Sequence, residues 1–440
     1  MTILAIDTSC DDTCIAILKI KNKKLKIKNF EILSNIISSQ VKIHAKYGGV
    51  YPSLAKREHQ RNLIPVLKRA LEEPNFLKSK VKGQKAKIEI EKLEKILERE
   101  EYLFKKLKIF LVKYQKPKID LIAVTAGPGL EPCLWTGVNF AKALSYLWQL
   151  PIIPVNHIEA HIFANLLSQI RSKSKIPEGQ AYGAGKNQKS KIKFPAICLA
   201  VSGGHTQLIL MKDFGKYKIL GETRDDAAGE CFDKVARILG LGYPGGPSVA
   251  KMATKLKIKN EKPSTRAKLG TGPVPHRNEV SAAGFKVYLP RPMIHQKNFD
   301  FSFSGLKTAV LYDFKNRPPK IRQSPKENLR FPTGQAKEYI RAMAAEVQQA
   351  IVDVLINKTF RAVKEFNTKT IIIGGGVAAN EKLRKQFKVQ SLKSKVNFLV
   401  PPKEFCTDNA AMVGITAFFH YLKGESRDWQ KILVNANLRI

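Results

Sequence analysis

Two histidines one helical turn apart suggest metal binding more directly than any other pair in the sequence. They bound the run His157-Ile158-Glu159-Ala160-His161. Side chains four residues apart lie on the same face of a helix, so both imidazoles can reach one divalent ion. A third ligand must come from elsewhere, and Asp408, in the polar stretch Cys406-Thr407-Asp408-Asn409, is the best candidate. The alternative is that both histidines are ordinary core or surface residues.

Three glycine-rich turns suggest a binding site for a nucleotide. Each is predicted to follow an apolar strand directly: Val201-Ser202-Gly203-Gly204-His205-Thr206, Tyr243-Pro244-Gly245-Gly246-Pro247 and Ile373-Gly374-Gly375-Gly376-Val377-Ala378-Ala379-Asn380. Because glycine has no Cβ, backbone N–H groups there can approach a phosphate or a base closely. One such turn is more commonly structural. Three of them, beside a polar loop at Asp7 to Thr13, favour a nucleotide cleft.

An α/β framework is needed to position these residues. Thr2 to Leu18 reads as a β-hairpin whose loop is crowded with carboxylates and hydroxyls. Further strands are predicted at Leu121 to Val124, Ala196 to Val201, Thr206 to Met211 and Thr370 to Ile373. Apolar spacing predicts helices at 52–73, Phe140 to Trp148, Phe232 to Leu239 and Ala336 to Glu365. Alternating strands and helices are typical of an α/β fold.

The length of 440 residues and a hydrophobic content of 44% predict two globular lobes. We expect an N-terminal lobe at 1–152 and a C-terminal lobe at 153–440, with the last helix returning to the N-terminal lobe. The Lys-, Glu- and Leu-rich segment at about 74–118 predicts a long surface helix, either solvated or facing a partner. Two stretches without periodicity, at about 168–193 and 256–284, read as basic loops.

The charge balance is strongly basic. The chain has 76 Lys and Arg against 37 Asp and Glu, a net charge of +39. Such a field favours polyanions such as nucleic acid, although a general lysine bias would give the same count. Six cysteines without a CxxC pair suit reduced thiols, and no apolar run is long enough for a membrane span. We therefore expect a soluble, cytoplasmic protein.

Taken in order, the motifs resemble those of the universal tRNA N6-adenosine threonylcarbamoyltransferase family in its bacterial form. The resemblance spans nearly the whole chain. Its motifs are the Asp7 to Thr13 loop, His44 to His59 (HAKYGGVYPSLAKREH), Thr125 to Leu130, the HIEAH run, Val201 to His205, Asp225 to Gly246, Phe301 to Lys307, Gly374 to Asn380 and Asp408-Asn409.

The resemblance implies a two-lobed, actin-like ATPase fold of the actin, sugar kinase and heat-shock chaperone superfamily. It implies transfer of a threonylcarbamoyl group from threonylcarbamoyl-AMP to N6 of adenosine 37, in tRNAs that read codons starting with A. The product is t6A. Implied partners are tRNA, a related inactive subunit of the same fold and a small P-loop ATPase, with no membrane.

The resemblance also assigns roles to residues. His157, His161 and Asp408 would hold one divalent metal, usually iron in this family and sometimes zinc or magnesium. The residues that would hold threonylcarbamoyl-AMP, with Asp233 acting through ribose hydroxyls, are Ala200, Val201, Ser202, Gly203, Gly204, Asp233, Gly246 and Asn380.

No histidine or glutamate stands out as the general base, and Asp11 and Asp12 in the hairpin loop are the candidates. The chain departs from the family at three places. Asp7 and Asp12 stand where members usually have Glu, and Ser53 stands where Glu is common. Each Asp shortens the reach of its carboxylate by one methylene.

Three rival readings remain. A metallopeptidase would use HExxH, with Glu next to the first histidine, whereas Glu159 lies two residues after His157. An ATPase or sugar kinase of the same fold would not need histidine ligands. An inactive scaffolding relative would not need to keep His157, His161 and Asp408. No turn has the P-loop or dinucleotide pattern.

Overall fold

The first sheet begins with the predicted hairpin, which is confirmed. In the computed structural model, which describes residues 1–21, 30–80, 90–167, 171–172, 192–255, 280–282, 285–322 and 334–440, the sheet has the order β5-β4-β1-β2-β3-β6. Its strands are β1 (Thr2–Asp7), β2 (Asp12–Ile20), β3 (Phe30–Ser39), β4 (Leu121–Gly127), β5 (Ile152–Asn156) and β6 (Arg171–Ser172). β1, β2 and β3 are antiparallel neighbours, while β4 runs parallel to β1 and β5 parallel to β4.

The second sheet repeats this topology in the order β13-β12-β7-β8-β9. Its strands are β7 (Ala196–Val201), β8 (Thr206–Asp213), β9 (Lys216–Glu222), β12 (Thr370–Gly374) and β13 (Asn397–Leu399). Again three antiparallel strands come first, then two strands parallel to the first of them. A small hairpin, β10 (Val280–Ala282) with β11 (Phe285–Val287), stands apart. This duplicated mixed sheet is the expected two-lobed α/β architecture.

Helices cover both faces of the sheets, which is why β1, β4, β7 and β12 are buried along their whole length. The helices of the first half are α1 (Val41–His44), α2 (Pro52–Glu72), α3 (Ile90–Ile96), α4 (Glu101–Lys113), α5 (Glu131–Trp148) and α6 (His157–Leu167). Those of the second half are α7 (Ala228–Ile238), α8 (Gly245–Thr254), α9 (Ser304–Lys315), α10 (Pro319–Arg322), α11 (Gly334–Glu365), α12 (Glu381–Lys393) and α13 (Ala410–Leu422).

Helix α6 lies between the two sheets. Its residues Ala160 and Phe163 belong to the core that includes Ile3 and Ala5 of the first sheet. Ile158 and Ile162 pack instead in a core with β7 and β12 of the second sheet. Helix α13 packs on β1, β2 and α6. The division of the chain at residues 152 and 153 stays a prediction, and β5, which begins at Ile152, pairs with the first sheet.

The prediction of one long surface helix at about 74–118 was wrong. The segment contains two helices, α3 and α4, separated by a turn that ends at Glu100. Their apolar stripe is not solvated, because Leu93, Phe104 and Leu107 are buried in the same core as Leu63 and Leu67 of α2. Residues 81–89 of the segment lie outside the described part of the chain.

The second glycine turn was also misplaced. Tyr243 to Pro247 follows helix α7 rather than a strand, and Gly245 opens α8. Its neighbours upstream, Val235 and Leu239, are spaced for one helical face and buried on it. The predicted basic loops at about 168–193 and 256–284 lie largely outside the described residues. Among the described residues, none of the helices has both the length and the apolar character needed to cross a membrane.

Candidate metal and nucleotide site

The two histidines enter the site from the start of α6. Asn156, the last residue of β5, accepts hydrogen bonds through its side-chain oxygen from the N–H groups of Ile158 (2.9 Å) and Glu159 (3.1 Å). This capping sets the first turn of the helix directly after the strand. His157 and His161 are buried, with ring centroids 4.6 Å apart and ring planes 76° apart.

Asp408 reaches the histidines from the start of α13, some 250 residues later in the chain. Asn409 caps that helix by accepting a hydrogen bond from the Met412 N–H at 3.0 Å, which fixes the residue before it. Asp408 Oδ1 lies 3.5 Å from His157 Nε2 and 3.3 Å from His161 Nε2. One ligand atom from each of the three side chains lies within 4.8 Å of the others. The structure thus brings the predicted set together.

The donor set fits a metal ion. Nδ1 of His161 is buried and makes no hydrogen bond with any described residue, while its Nε2 faces the Asp408 carboxylate at 3.3 Å. Buried imidazole nitrogens of this kind are costly unless they gain a partner. A divalent cation is such a partner, and two imidazoles with one carboxylate are ligands that iron and zinc accept.

The pKa shifts of these three side chains show the charge that a bound cation would balance. Burial acts to lower the pKa of His157, but the carboxylates of Asp408 and Asp7 outweigh it and raise that pKa to about 10. Burial and the nearby charge of His157 lower the pKa of His161. Burial acts to raise the pKa of Asp408, yet the two imidazoles hold it well below its usual range. A proton on His157 therefore supplies positive charge that offsets the carboxylates of Asp408 and Asp7. A bound metal ion would supply that charge instead.

Asp7 is a site residue that the sequence analysis placed in the polar loop and noted as a departure from the family, without giving it a role at the histidines. Its Oδ2 lies 3.2 Å from His157 Nδ1, and its Oδ1 accepts the Ser9 N–H at 2.9 Å. A carboxylate facing the second nitrogen of a metal-binding histidine fixes the ring orientation. The signal that points to Asp7 is a carboxylate at the end of an apolar strand, although nothing in the sequence names its partner.

Asp11 lies in the β1–β2 loop, as expected, whereas Asp12 is the first residue of β2. Asp11 Oδ2 and Asp12 Oδ1 are buried without a hydrogen-bond partner among the described residues. Burial raises the pKa of both carboxyls, and that of Asp12 reaches about 7. The negative charge of Asp408 contributes to both shifts. A carboxyl that titrates near neutral pH can take up a proton during a reaction at that pH.

A buried histidine, His59, forms hydrogen bonds to the residues on either side of Asp11 and Asp12. His59 Nε2 lies 2.9 Å from the Cys10 carbonyl oxygen, and His59 Nδ1 lies 2.8 Å from the Thr13 hydroxyl. Because a carbonyl only accepts, Nε2 carries the proton and Nδ1 accepts from Thr13. Burial lowers the pKa of His59 to about 4, which keeps the ring neutral. The sequence had matched this histidine to a family motif without giving it a role.

The glycine turns divide into open and closely packed positions. A Cβ built on Gly203, Gly204 or Gly246 would meet no atom within 4 Å, so a ligand can approach the backbone there. A Cβ on Gly374 would lie 2.4 Å from the His161 carbonyl oxygen, and one on Gly375 2.4 Å from that of Val201. These two glycines let the end of β12 approach α6 and β7. The turns after β7 and β12 therefore lie at the same site as the histidines.

The other residues predicted to hold the adenylate occupy different environments. Asp233 Oδ1 accepts the Gly245 N–H at 2.6 Å, and burial raises the pKa of Asp233 to about 6. Asn380 caps α12 by accepting from the Leu383 N–H at 3.0 Å, and its amide donates to Gln348. Asp233 lies in the middle of α7, against the turn at Gly245, and Asn380 lies at the start of α12, after the turn that follows β12. Three more line the turn after β7, where Ala200 and Val201 are buried and Ser202 Oγ accepts the His205 N–H at 3.2 Å.

Asp225 is a bracing residue that sequence reasoning did not single out. It accepts hydrogen bonds from the hydroxyls of Ser302 (2.6 Å) and Ser304 (2.7 Å) and from the N–H groups of Phe303 and Ser304. These bonds attach the segment before α7 to the N-terminus of α9. The paired serines of the Phe301 to Lys307 motif offer two hydroxyl donors, but nothing in the sequence names Asp225 as their acceptor.

Glu159 is turned away from the histidine pair. Its carboxylate accepts the Tyr217 hydroxyl at 2.7 Å and lies 2.7 Å from His420 Nε2. A peptidase of the HExxH class needs its glutamate beside the metal to activate water. Glu159 cannot serve in that way.

Comparison with known proteins agrees with this geometry. The family model described as tRNA N6-adenosine threonylcarbamoyltransferase matches residues 31–83, 111–188 and 177–415. A protein of that name from Thermosipho africanus is 39% identical over 428 residues, covering 97% of each chain. One from Syntrophomonas wolfei is 39% identical over 419 residues, covering 95% of this chain and 92% of the relative. The chain therefore belongs to the tRNA N6-adenosine threonylcarbamoyltransferase family.

Proposed function

We propose that this chain transfers a threonylcarbamoyl group from threonylcarbamoyl-AMP to N6 of adenosine 37 in tRNAs that read codons starting with A. The product is t6A. The observation that carries this proposal is the convergence of His157, His161 and Asp408 beside open glycine loops, in a chain that belongs to this family.

The reaction sets a modest chemical task. The threonylcarbamoyl carbonyl is already activated as a mixed anhydride with phosphate. A bond forms between adenosine N6 and the carbonyl carbon, the bond to the phosphate oxygen breaks, and AMP leaves with the electron pair. The enzyme must orient a weakly nucleophilic amine and stabilise the departing negative charge.

The adenylate is proposed to lie against the glycine turns. The backbone at Gly203, Gly204 and Gly246 is open to a ligand, and the neighbouring Ala200, Val201 and Ser202 form the wall of that turn. Asp233 would accept the ribose hydroxyls, which requires its ionised form. Asn380 would contribute from the start of α12, where its side chain is already ordered by capping.

His157, His161 and Asp408 would hold one divalent metal, with Asp7 orienting the ring of His157. When bound, such an ion supplies Lewis-acid polarisation and a template for oxygen atoms of the substrate. We propose iron, because two histidines and one carboxylate with open positions are the set that holds ferrous iron in many enzymes. Zinc and magnesium are the alternatives that metal analysis would reveal.

Asp12 is proposed as the group that takes the proton from N6. Its carboxyl is buried at the start of β2, lacks a hydrogen-bond partner on Oδ1 among the described residues, and has a pKa raised to about 7 by burial. Asp11 is the second candidate, with a pKa also raised by burial. His59 and Thr13 would keep the loop in place for either carboxylate.

The proposed partners and cellular location follow from tRNA as the substrate. A related inactive subunit of the same fold and a small P-loop ATPase are proposed as partners, and the cytoplasm as the location. Copurification of tagged protein with its native partners tests the first point. The assay for t6A formation is done with and without such partners.

The test is direct. Purified protein is mixed with threonylcarbamoyl-AMP and a tRNA bearing adenosine 37, and nucleosides are measured by mass spectrometry. The wild-type protein should form t6A, and His157→Ala or His161→Ala should lower the rate by more than about 100-fold, since a metal supplies several kcal/mol of transition-state stabilisation. Cleavage of casein without any t6A would instead identify a peptidase and overturn the proposal.

A further inference from the structure

Two exposed tyrosines lie against each other on the surface beside the site. Tyr47 is 63% exposed and Tyr51 is 56% exposed, yet their rings are stacked, with centroids 6.0 Å apart and planes 27° apart. Large aromatic side chains left open to solvent in pairs commonly mark a surface that binds something.

The pair is held on an ordered backbone. Tyr47 ends a short 3-10 turn, Ala45–Tyr47, and Gly48 follows in the left-handed conformation with φ of 69°, which reverses the chain. Tyr51 precedes α2 and donates its backbone N–H to His44 Nδ1 at 3.3 Å. His44 is itself buried, and its Nε2 donates to Gln40 Oε1 at 3.1 Å. The rings therefore need little ordering when a ligand arrives.

The pair sits at the edge of the proposed active site. A Cβ built on Gly48 would lie 3.6 Å from Cδ of Arg237, which is one turn after Asp233 on α7. On its other side, the pair is connected to the hairpin loop. Gln40 donates its backbone N–H to the Asp11 carbonyl oxygen at 3.0 Å. The segment that carries the tyrosines therefore contacts the helix of Asp233 at Gly48 and the loop of Asp11 at Gln40.

The charges on the segment that carries the pair are of one sign. Residues 40–57 contain no Asp or Glu, and their basic members are Lys42, Lys46, Lys56 and Arg57. Lys56 is paired with the buried Glu100 at 3.8 Å, while Lys42, Lys46 and Arg57 are exposed. An aromatic pair within a basic surface is the combination that binds unpaired nucleotides, because the cations take the phosphates and the rings take the bases.

We propose that Tyr47 and Tyr51 form a stacking platform for an unpaired base of the tRNA anticodon loop, next to the adenosine that is modified. This proposal rests on the proposed function. An enzyme must take its target base out of the loop stack, and a neighbouring aromatic surface offsets the lost stacking. Stacking is tolerant of sequence, which suits a site that serves several different tRNAs.

The test uses the full-length protein and two RNAs, an anticodon stem-loop and a fully paired hairpin of the same length. Replacing both tyrosines by alanine should weaken binding of the stem-loop, measured by fluorescence anisotropy, by about tenfold or more. Binding of the paired hairpin should not change. Tyr47→Phe with Tyr51→Phe should retain the affinity, because the phenyl ring still stacks. Tyr312→Ala, which removes another tyrosine that is 61% exposed, is the matched control.

Steady-state kinetics distinguish a failure of this proposal from a failure of the proposed function. With wild-type protein active, the double alanine variant should raise the KM for tRNA and leave the KM for threonylcarbamoyl-AMP unchanged. Unchanged stem-loop affinity and tRNA KM in that variant would overturn the platform while leaving the transferase intact. An equal loss for both RNAs, or a loss seen only when a protein partner is added, would also overturn it. A wild-type protein with no t6A activity would instead refute the proposed function.

Discussion

At the scale of single residues, acidic side chains that lie close together have separate proposed roles. Asp408 is held far on the ionised side by two imidazoles, whereas burial raises the pKa of Asp12 to about 7 and that of Asp233 to about 6. Carboxyls with pKa values driven apart by their surroundings can act as ligand, base and ribose acceptor in one pocket.

Asp12→Asn should lower kcat by about 10²- to 10⁴-fold, the usual contribution of a general base. Binding of threonylcarbamoyl-AMP, measured by calorimetry, should stay near that of the wild type. Asp12→Glu should recover much of the rate, because glutamate is the residue usual at this place in the family that the chain resembles. Full activity of the asparagine variant would assign the proton transfer to another group.

Binding of threonylcarbamoyl-AMP should weaken as the pH falls through about 6, because Asp233 then takes up a proton and can no longer accept two ribose hydroxyls. The raised pKa places this loss above the range of an ordinary aspartate. At one pH unit below that pKa the dissociation constant should rise by about tenfold. Titrations at pH 5 and 7.5 check this, and Asp233→Asn should remove the pH dependence. A dependence that persists in the variant would contradict the assignment.

At the scale of elements, close backbone approaches hold the site together. Gly374, at the end of β12, leaves room for the His161 carbonyl of α6, and Asn165 of the same helix donates to the Ile373 carbonyl at 3.0 Å. These contacts tie the helix of the histidines to the second sheet. Asn409 caps α13 and thereby fixes the position of Asp408, the residue before it. Because α13 packs on the first sheet, Asp408 is held relative to that sheet.

Gly374→Ala should destabilise the protein by about 1–3 kcal/mol, because the new methyl group would lie 2.4 Å from a backbone oxygen and α6 must shift. Metal affinity should fall with it, since His161 moves. Gly376→Ala is the matched control, because a Cβ there meets no atom within 4 Å. Chemical denaturation of both variants is the measurement, and equal midpoints would show that the approach at Gly374 is not needed.

Local patterns predicted the elements that have strong periodicity of their own. The opening hairpin and the helices α2 and α11 follow from apolar spacing, and the i, i+4 histidines follow from helix geometry. The two helices within 74–118 were merged, because the apolar stripe runs on through the turn before Glu100. The contacts of Asp7 with His157 and of Asp225 with Ser302 join segments about 150 and 77 residues apart. No local pattern encodes such pairings.

At the scale of the whole molecule, two sheets of the same topology place the site at their junction. Helix α6 packs on one sheet through Ala160 and Phe163 and on the other through Ile158 and Ile162. A change in the relative position of the sheets would therefore act on the histidines directly. The net charge of +39 gives the whole chain a field that attracts polyanions such as tRNA.

The KM for tRNA should rise steeply with salt, because each cation in contact with phosphate releases a counterion, with a slope of about −0.9 per contact in log affinity for duplex nucleic acid. The KM for threonylcarbamoyl-AMP, a small ligand, should change far less over the same range. Initial rates between 50 and 200 mM salt, roughly the range over which such contacts are usually compared, provide the measurement. A flat dependence for tRNA would mean that the excess of lysine and arginine does not contribute to binding.

We propose that His157, His161 and Asp408 hold one metal ion on which t6A formation depends. The most direct test of this proposal is metal content by mass spectrometry alongside t6A yield, for wild-type protein and for the three single alanine variants. The account predicts about one divalent ion per wild-type chain, little in each variant, and loss of product in parallel with loss of metal. A variant that keeps full activity without the ion, or keeps the ion without these side chains, would contradict it.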